Sequence, residues 1–231
     1  MSSDPRPYGR RAFVGVVAVG VSSLFWGSAA WDKLSSLLDP IADRLPGSLD
    51  ALPSPSSGWR IYNVNPPMPR FDPAVWRLRI DGLVERPIEL SFSDLMTLPR
   101  AAQTSDFHCV TGWSVDDVRW TGVRFRDLLE PAGPLPSARA LAFVSMEKPY
   151  VDTLTLDQAL LPDAMLAYEM DGEPLSRPHG APARVVIPEM YGYKNVKWVD
   201  TISLIPEAVD GYWEQRGYDR NAWVGRSNGY G

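Results

Sequence analysis

Alternating apolar and polar positions predict several short strands in the chain from about residue 59 onward. A period of two is typical of strands that bury one face, and a continuous apolar run is typical of a strand buried on both faces. One strand ends in an Asp-Gly turn and one pair surrounds Asp171-Gly172, which predicts a hairpin. The predicted strand segments are 76–82 (WRLRIDG), 103–110 (QTSDFHCV), 140–147 (ALAFVSME), 165–175 (MLAYEMDGEPL), 183–192 (ARVVIPEMYG) and 197–205 (KWVDTISLI).

Three short helices are predicted between these strands, in 91–99, 124–133 and 155–162. Ser91 or Ser93 is expected to cap the first, which Pro99 stops, and Thr155 with Gln158 forms a capping box at the start of the third. Short strands and short helices follow one another without a regular strand–helix–strand repeat. The pattern therefore predicts an α+β fold rather than a doubly wound sheet.

The first 31 residues differ from the rest and predict an export signal or a membrane anchor. The adjacent pair Arg10-Arg11 precedes an uncharged apolar run from Ala12 to about Trp31. A basic pair before such a run is typical of a twin-arginine signal, and an ordinary secretory signal and an uncleaved anchor are the alternatives. The predicted organisation is a signal or anchor at 1–31, a Pro/Ser-rich linker at 32–58 and one folded domain at 59–231.

Composition narrows the functional classes. The 231 residues are 45% hydrophobic and 22% charged, with a net charge of -5 and a pI near 5.1. This suits a globular domain and argues against a nucleic-acid binder, which usually carries a basic face. A single cysteine and two histidines exclude an intramolecular disulfide, a zinc site of several thiolates and a haem attachment motif.

That single cysteine, Cys109, stands in a polar and glycine-containing context. Ser105 and His108 precede it, and Thr111 and Gly112 follow. An isolated thiol is most often a buried apolar residue, but a strand-end thiol before a glycine turn is also well placed to bind a soft metal. His108 is expected to point the opposite way from Cys109 in an extended segment and to be structural.

A second feature is the basic stretch 176–198 (SRPHGAPARVVIPEMYGYKNVKW). It carries Arg177, Arg184, Lys194 and Lys197 against Glu189, so its net charge is four minus one, or +3, in an acidic protein. Such a set suits a phosphate, although a solvated basic face is the alternative. Arg184 opens an apolar run, so its charge is expected to have a partner. A soft metal ligand together with an anion pocket fits a metal-bearing phosphate cofactor such as molybdopterin.

At this point the chain resembles the sulfite oxidase family. The resemblance rests on DFHCVTGWSVDDVRWTGVRFRDLL, on LLPDAMLAYEMDGEPLSRPHGAPARVVIPEMYGYKNVKWVDTISL and on DPAVWRLRIDGLVERP, and it spans roughly residues 59–215. It is most similar to the exported bacterial branch that includes the catalytic subunit of periplasmic methionine sulfoxide reductase. The resemblance implies a mixed-sheet sulfite-oxidase-type fold, a Mo-molybdopterin cofactor and Cys109 as the molybdenum ligand.

The same resemblance implies roles for further residues. Tyr150 corresponds to an active-site tyrosine beside the open position of the metal. The implied cofactor-binding residues are Asn63, Ser145, His179, Arg184, Asn195, Val196 and Lys197. Asn63 stands where sulfite oxidases have a substrate-binding arginine, and the dimerisation and haem domains of those enzymes are absent from the resemblance. The aromatic tail after residue 210 has no predicted chemical role.

The expected function is oxygen-atom transfer on a small substrate such as a sulfoxide or N-oxide. Because the chain has no ligand set for haem or an iron–sulfur cluster, a membrane cytochrome or quinone-linked partner is expected to exchange electrons with it. We expect a monomeric catalytic subunit in the periplasm or on the outer face of the cytoplasmic membrane. A sulfite dehydrogenase-like activity and a non-catalytic exported ligand-binding protein are the alternatives.

Overall fold

Two β-sheets carry the fold in the computed structural model, which describes residues 58–227 and 229. The predicted signal or anchor and all but the last residue of the predicted linker lie outside the described residues. The strands, in chain order, are β1 (Arg77–Gly82), β2 (Ile88–Ser91), β3 (Arg100–Cys109), β4 (Trp113–Arg124), β5 (Ala140–Ser145), β6 (Val151–Thr155), β7 (Met165–Met170), β8 (Glu173–Pro174), β9 (Arg184–Val186) and β10 (Val199–Ile205).

The first sheet is mixed and has the order β2-β1-β10-β5-β6. Its parallel pair is β1 with β10, and its other pairs are antiparallel. The second sheet has the order β3-β4-β7-β8, and β9 also pairs with β7. These two sheets with a few short helices form the predicted α+β arrangement.

The helices are short, and the first and third of them begin at side-chain caps. They are α1 (Phe92–Leu95), α2 (Phe125–Leu129) and α3 (Leu156–Ala159). Of the two predicted caps for α1, Ser91 is the one that forms, in a capping box with Asp94. The predicted capping box of Thr155 and Gln158 is confirmed. Single 3₁₀ turns lie at Glu130–Ala132, Arg177–His179, Gly192–Lys194 and Glu214–Arg216. None of the helices in the described part is long and apolar enough to cross a membrane.

Most of the predicted strands are confirmed, with bounds that differ by a few residues; β3 begins at Arg100, before the predicted start at 103. The hairpin around Asp171-Gly172 forms from β7 and β8, and 140–147 contains the largely buried β5. The segment 183–192 yields only the three residues of β9. Strands β2, β4 and β6 had not been predicted, and β4 is the longest of all, at 12 residues.

A continuous apolar core packs the first sheet against the helices and the loops. Leu78, Ile80, Phe143 and Ile202 contribute to it from the first sheet and are fully buried. A smaller cluster around Trp59 and Trp120 covers part of the second sheet. The hairpin of β3 and β4 projects Cys109 to its tip, because the chain reverses at Gly112, whose φ is +85° and whose N–H donates to the Cys109 carbonyl at 3.0 Å.

Candidate active site

A cavity of about 510 Å³ collects nearly all of the residues that the sequence indicated. It lies among the tip of the β3–β4 hairpin, the segment before β1, the loops around β9 and the tail after β10. Eight of the nine predicted site residues line it: Asn63, Cys109, Ser145, Tyr150, His179, Arg184, Asn195 and Lys197. The ninth, Val196, packs into the apolar core instead.

Cys109 is half-buried and lies at the cavity wall. Its Sγ atom is 3.2 Å from the Thr111 hydroxyl, so a polar group that can donate a hydrogen bond to sulfur lies beside the thiol. The other side of the strand holds His108, whose Nδ1 is 2.8 Å from the Ser114 hydroxyl. His108 faces a separate groove with Asp106 and Glu189, which agrees with the expectation that it points away from Cys109.

Arg184 places a buried positive charge in the cavity. Its guanidinium donates to the carbonyl oxygens of His179 at 3.2 Å and Asn195 at 3.4 Å. It also lies over the rings of Phe107 and Trp120, at 5.4 and 5.2 Å from their centroids. Burial lowers the pKa of Arg184 to about 10. The partner that the sequence predicts for Arg184 is therefore a set of carbonyl oxygens and aromatic rings. No carboxylate among the described residues forms a salt bridge with Arg184.

Lys197 adds a second positive charge. Its Nζ donates to the carbonyl oxygens of Tyr62 at 2.6 Å and Pro178 at 3.3 Å. Burial and the nearby Arg184 charge lower the pKa of Lys197 to about 7, against an opposing effect of Glu147. An anion placed between the two cations would reverse this shift, since it would stabilise the ammonium form.

Polar atoms without a hydrogen-bond partner belong to residues that line the same cavity. Among the described residues, Asn63 Nδ2, Trp113 Nε1 and His179 Nδ1 are buried and form no hydrogen bond. Burial and the charges of Arg184 and Lys197 lower the pKa of His179 to about 3, so its ring is neutral. Buried polar groups normally have partners. A ligand with several acceptors and a negative charge would satisfy these groups, which is what a pterin phosphate offers.

Ser145 and Asn195 are already fully engaged and shape the wall. The Ser145 hydroxyl donates to the Lys197 carbonyl at 2.8 Å and accepts from the Glu147 N–H at 3.0 Å. The Asn195 side chain accepts from the Ile187 N–H at 2.8 Å. Both residues hold the loop that carries Lys197 in place.

Tyr150 and three aromatic residues of the tail line another part of the wall. The Tyr150 hydroxyl donates to the Tyr193 carbonyl at 2.6 Å, and burial raises the pKa of this phenol well above its usual value. Tyr212, Trp213 and Tyr218 line the cavity as well. Local sequence patterns predict no chemical role for this tail; its density of aromatic residues is the one signal that points to it.

Glu147 is a further residue that the sequence did not reveal. It lines the cavity, and its Oε1 accepts from the backbone N–H groups of Val64 at 2.7 Å and Asn65 at 3.1 Å. Burial raises its pKa, partly offset by those donors. Glu147 thereby ties the segment that carries Asn63 to the end of β5.

Two of the four predicted anion-binding cations are placed elsewhere. Lys194 is fully buried between Asp152 and Glu214, at 2.5 Å from an oxygen of each. Arg177 donates to the carbonyl oxygens of Met68 and Pro69. Neither lines the cavity, so the expected four-cation set was wrong for these two. The count of charges in the sequence did not distinguish cations that face the cavity from cations that connect loops.

Comparison with known proteins identifies the family of the chain. Residues 65–213 match the family described as the oxidoreductase molybdopterin binding domain. The chain is 41% identical over 147 residues to the oxidoreductase YuiH of Bacillus subtilis, which covers 64% of this chain and 74% of YuiH. It is 33% identical to the sulfite oxidase of Arabidopsis thaliana, over 62% of this chain and 45% of that one.

Two further similarities point the same way. The chain is 31% identical to the protein-methionine-sulfoxide reductase catalytic subunit MsrP of Campylobacter jejuni, over 62% of this chain and 54% of MsrP. Among solved structures, the sulfane dehydrogenase SoxCD of Paracoccus pantotrophus superposes with a TM-score of 0.58 and 28% identity, over 62% of this chain and 41% of that one. The chain thus spans about half the length of these sulfur-oxidising or sulfoxide-reducing relatives.

The chain belongs to the oxidoreductase molybdopterin-binding domain family. Its class is therefore that of molybdenum-dependent oxidoreductases with a molybdopterin cofactor, as the resemblance implied. The cavity supplies what this cofactor requires, namely a thiol, cations and unpaired hydrogen-bonding groups.

Proposed function

We propose that this protein transfers an oxygen atom from a small sulfoxide or N-oxide, with Cys109 as the protein ligand of molybdenum. The observation that carries the proposal is that the only thiol of the chain lies in the same cavity as two cations that lack a salt bridge. When bound, the molybdenum cofactor supplies the two-electron redox chemistry. The overall reaction takes up two electrons and two protons and releases a thioether or amine and water.

The side chains of this cavity bind and orient. Arg184 and Lys197 are proposed to hold the phosphate of the pterin, because Arg184 is buried, Lys197 is half-buried, and neither forms a salt bridge with a carboxylate among the described residues. Asn63 and His179 are proposed to donate to the cofactor with their unpaired atoms. Val196, which does not line the cavity, is proposed to act only by fixing its loop: its N–H donates to the Lys194 carbonyl and its carbonyl accepts from Val185.

Tyr150 is proposed to contact the substrate oxygen. Its hydroxyl proton is directed at the Tyr193 carbonyl, and rotation about the C–O bond would redirect this proton into the cavity. The high pKa of Tyr150 keeps the phenol neutral and able to donate at physiological pH. Replacement of Tyr150 by Phe would then lower kcat without loss of cofactor.

Cofactor content tests the proposal directly. Protein purified from a host that makes molybdopterin should contain molybdenum and pterin in near-equal amounts to protein, and Cys109→Ser should lose the reductase activity. Thr111→Val is the matched control, because it changes the neighbour of the thiol and keeps the thiol itself. Absence of molybdenum from the native protein, or full activity of the Cys109→Ser variant, would refute the proposal and would leave an exported ligand-binding protein.

The substrate class needs a separate assay. Reduction of a panel of sulfoxides and N-oxides by a reduced dye should proceed with the loaded protein. Sulfite oxidation is the opposing test, since the chain is similar to sulfite oxidases but has Asn63 where the resemblance expects an arginine. Turnover of sulfite with no turnover of any oxide would reverse the assignment of direction.

Electrons are proposed to come from a membrane cytochrome or a quinone-linked protein, since two histidines and one cysteine in the whole chain leave no ligand set for a second redox centre. We propose an exported location, on the periplasmic side of the membrane, on the basis of the segment 1–31.

A further inference from the structure

Five aromatic residues contact one another in a closed circuit in the wall of the cavity. We name this group, Tyr150, Tyr193, Tyr212, Trp213 and Tyr218, the aromatic collar. Neighbouring rings are in contact around it: Tyr150 stacks on Tyr212 at 5.5 Å, Tyr212 meets Trp213 at 5.2 Å, Trp213 meets Tyr218 at 5.0 Å, and Tyr218 meets Tyr193 at 5.2 Å. The hydrogen bond from the Tyr150 hydroxyl to the backbone carbonyl of Tyr193 joins the two ends of this series of contacts. All five residues line the cavity.

Three of the five collar residues come from the tail of the chain. The part that matches the family ends at residue 213, so Tyr218 lies beyond it and Trp213 is its last residue. The tail is held in place by Glu214, whose Oε1 is 2.5 Å from Lys194 Nζ in the buried group with Asp152. Buried contacts therefore fix the position of the collar, and it is not a chance accumulation of surface rings.

The buried group behind the collar places the carboxyl groups of Asp152 and Glu214 near its phenols, with Lys194 between them. Burial raises the pKa of Tyr150 and of Tyr193, and Asp152 and Glu214 raise both further. These two phenols are therefore neutral, and their ring faces keep the negative potential of an aromatic quadrupole. Arg216 already places its guanidinium 3.7 Å from the centroid of Tyr212, so the structure itself shows a cation on a collar ring.

We propose that the aromatic collar is the substrate-selecting site and that it binds methyl groups attached to positively charged or positively polarised nitrogen or sulfur. This inference rests on the proposed oxide-reducing function and names its substrate class. Aromatic rings attract such groups through their negative faces. An anion such as sulfite gains no such attraction from neutral phenols and ring faces, so the collar does not select it.

A pair of non-reducible probes tests the collar without any turnover. Choline and 3,3-dimethylbutan-1-ol have the same shape, but only choline carries a positive charge. Calorimetry on the molybdenum-loaded protein should show that choline binds about tenfold more tightly than its neutral counterpart, the difference expected from a desolvated cation–π site. Equal binding of the two probes would overturn the proposal.

Variants locate the effect in the collar. Trp213→Leu should remove the preference for choline, and Trp213→Phe should retain most of it. Trp223→Leu is the matched control, because Trp223 lines the separate groove near His108 and not the cavity. Molybdenum content checks that each variant is folded and loaded. If Trp213→Leu loses the metal, Tyr218→Leu takes its place with the same expectation. A preference for choline that survives in the loaded collar variant contradicts the proposal.

Kinetics distinguish this proposal from the function on which it rests. With trimethylamine N-oxide as substrate, Trp213→Leu should raise KM by about tenfold, the factor expected for the probes, and largely retain kcat. If choline binds as expected but no oxide is reduced, the proposed function fails and the collar stands as a binding site. If oxides are reduced while the charge of the probe makes no difference, the function stands and the collar proposal fails.

Discussion

Arg184 and Lys197 hold two positive charges in one cavity, and neither forms a salt bridge within the described part of the chain. An uncompensated buried charge costs free energy, and two neighbouring like charges cost more. The lowered pKa values of both side chains express this cost. The anionic ligand proposed for this cavity would offset the cost. Stability of the cofactor-free protein and retention of cofactor are therefore expected to oppose each other at these residues.

Replacement of Lys197 by Met tests this opposition. The variant should retain several-fold less molybdenum, and its cofactor-free form should be more stable by about 1 kcal/mol after allowance for solvent screening. The direction of the pH dependence follows from the pKa of Lys197, which is about 7 in the folded protein against an ordinary value of 10.5. The unfolded chain binds more protons between these values, so the wild-type apoprotein gains stability as pH rises from about 7 to 10.5.

Urea unfolding of the two apoproteins at several pH values measures the difference. The Lys197→Met variant should lack the gain in the free energy of unfolding at alkaline pH. Lys148→Met is the control, because Lys148 is an exposed lysine that pairs with Asp200 at 3.5 Å. Equal pH profiles for wild type and Lys197→Met would show that Lys197 carries no unfavourable charge in the empty cavity.

Single residues were also where sequence reasoning was most informative. Cys109 is the only thiol of the chain and Arg184 opens an apolar run, so both could be singled out without coordinates. Lys194 shows the limit: its charge is the same as that of Lys197 and it lies three residues away, yet it points at Asp152 and Glu214. Those partners are 42 and 20 residues distant in sequence, and no local pattern identifies such pairs.

At the scale of elements, the buried group of Asp152, Lys194 and Glu214 connects three parts of the chain. Asp152 belongs to β6, Lys194 ends the 3₁₀ turn that precedes β10, and Glu214 begins the 3₁₀ turn of the tail. All three side chains are nearly inaccessible to solvent. The contact fixes the tail, and with it three residues of the aromatic collar, against the first sheet.

Removal of the ammonium should therefore destabilise the protein strongly. Lys194→Met leaves two carboxylates buried side by side, and we expect a loss of about 3–5 kcal/mol in the free energy of unfolding, measured with urea. The triple variant Lys194→Met, Asp152→Asn, Glu214→Gln removes the charges together and should recover part of this loss. If the single and triple variants are equally stable, the loss reflects packing of the lysine stem and not its charge.

The strands show why local patterns predict only part of the fold. The β3–β4 hairpin was predicted on one side alone, because the alternation in β4 is interrupted. Its pairing with β3 shifts register between Ser105 and Phe107, and Asp117 has a φ of +56°. A bulge of this kind breaks the period of two that identifies a strand, so the sequence pattern does not predict the longest strand of the structure. The hairpin at Asp171-Gly172 is regular, and the pattern does predict it.

At the scale of the whole molecule, the first 31 residues bear on where the protein acts. The match to the family spans 65–213. These first residues, which lie outside the matched range 65–213, combine Arg10-Arg11 with an uncharged apolar run. The twin-arginine route carries folded proteins, which suits a domain whose cofactor is enclosed in a cavity and whose thiol would otherwise reach an oxidising compartment unprotected.

The proposed route predicts a specific failure when the arginine pair is changed. The double variant Arg10→Lys, Arg11→Lys keeps the charge and hydropathy of the segment, so an ordinary secretory signal or a membrane anchor should still function. Only a twin-arginine signal should fail, and the full-length protein should then accumulate in the cytoplasm with its molybdenum already bound. Cell fractionation, metal analysis and N-terminal sequencing measure this. Arg6→Lys is the matched control and should be exported as wild type. Normal export of the double variant would assign the segment to the secretory route or to an anchor.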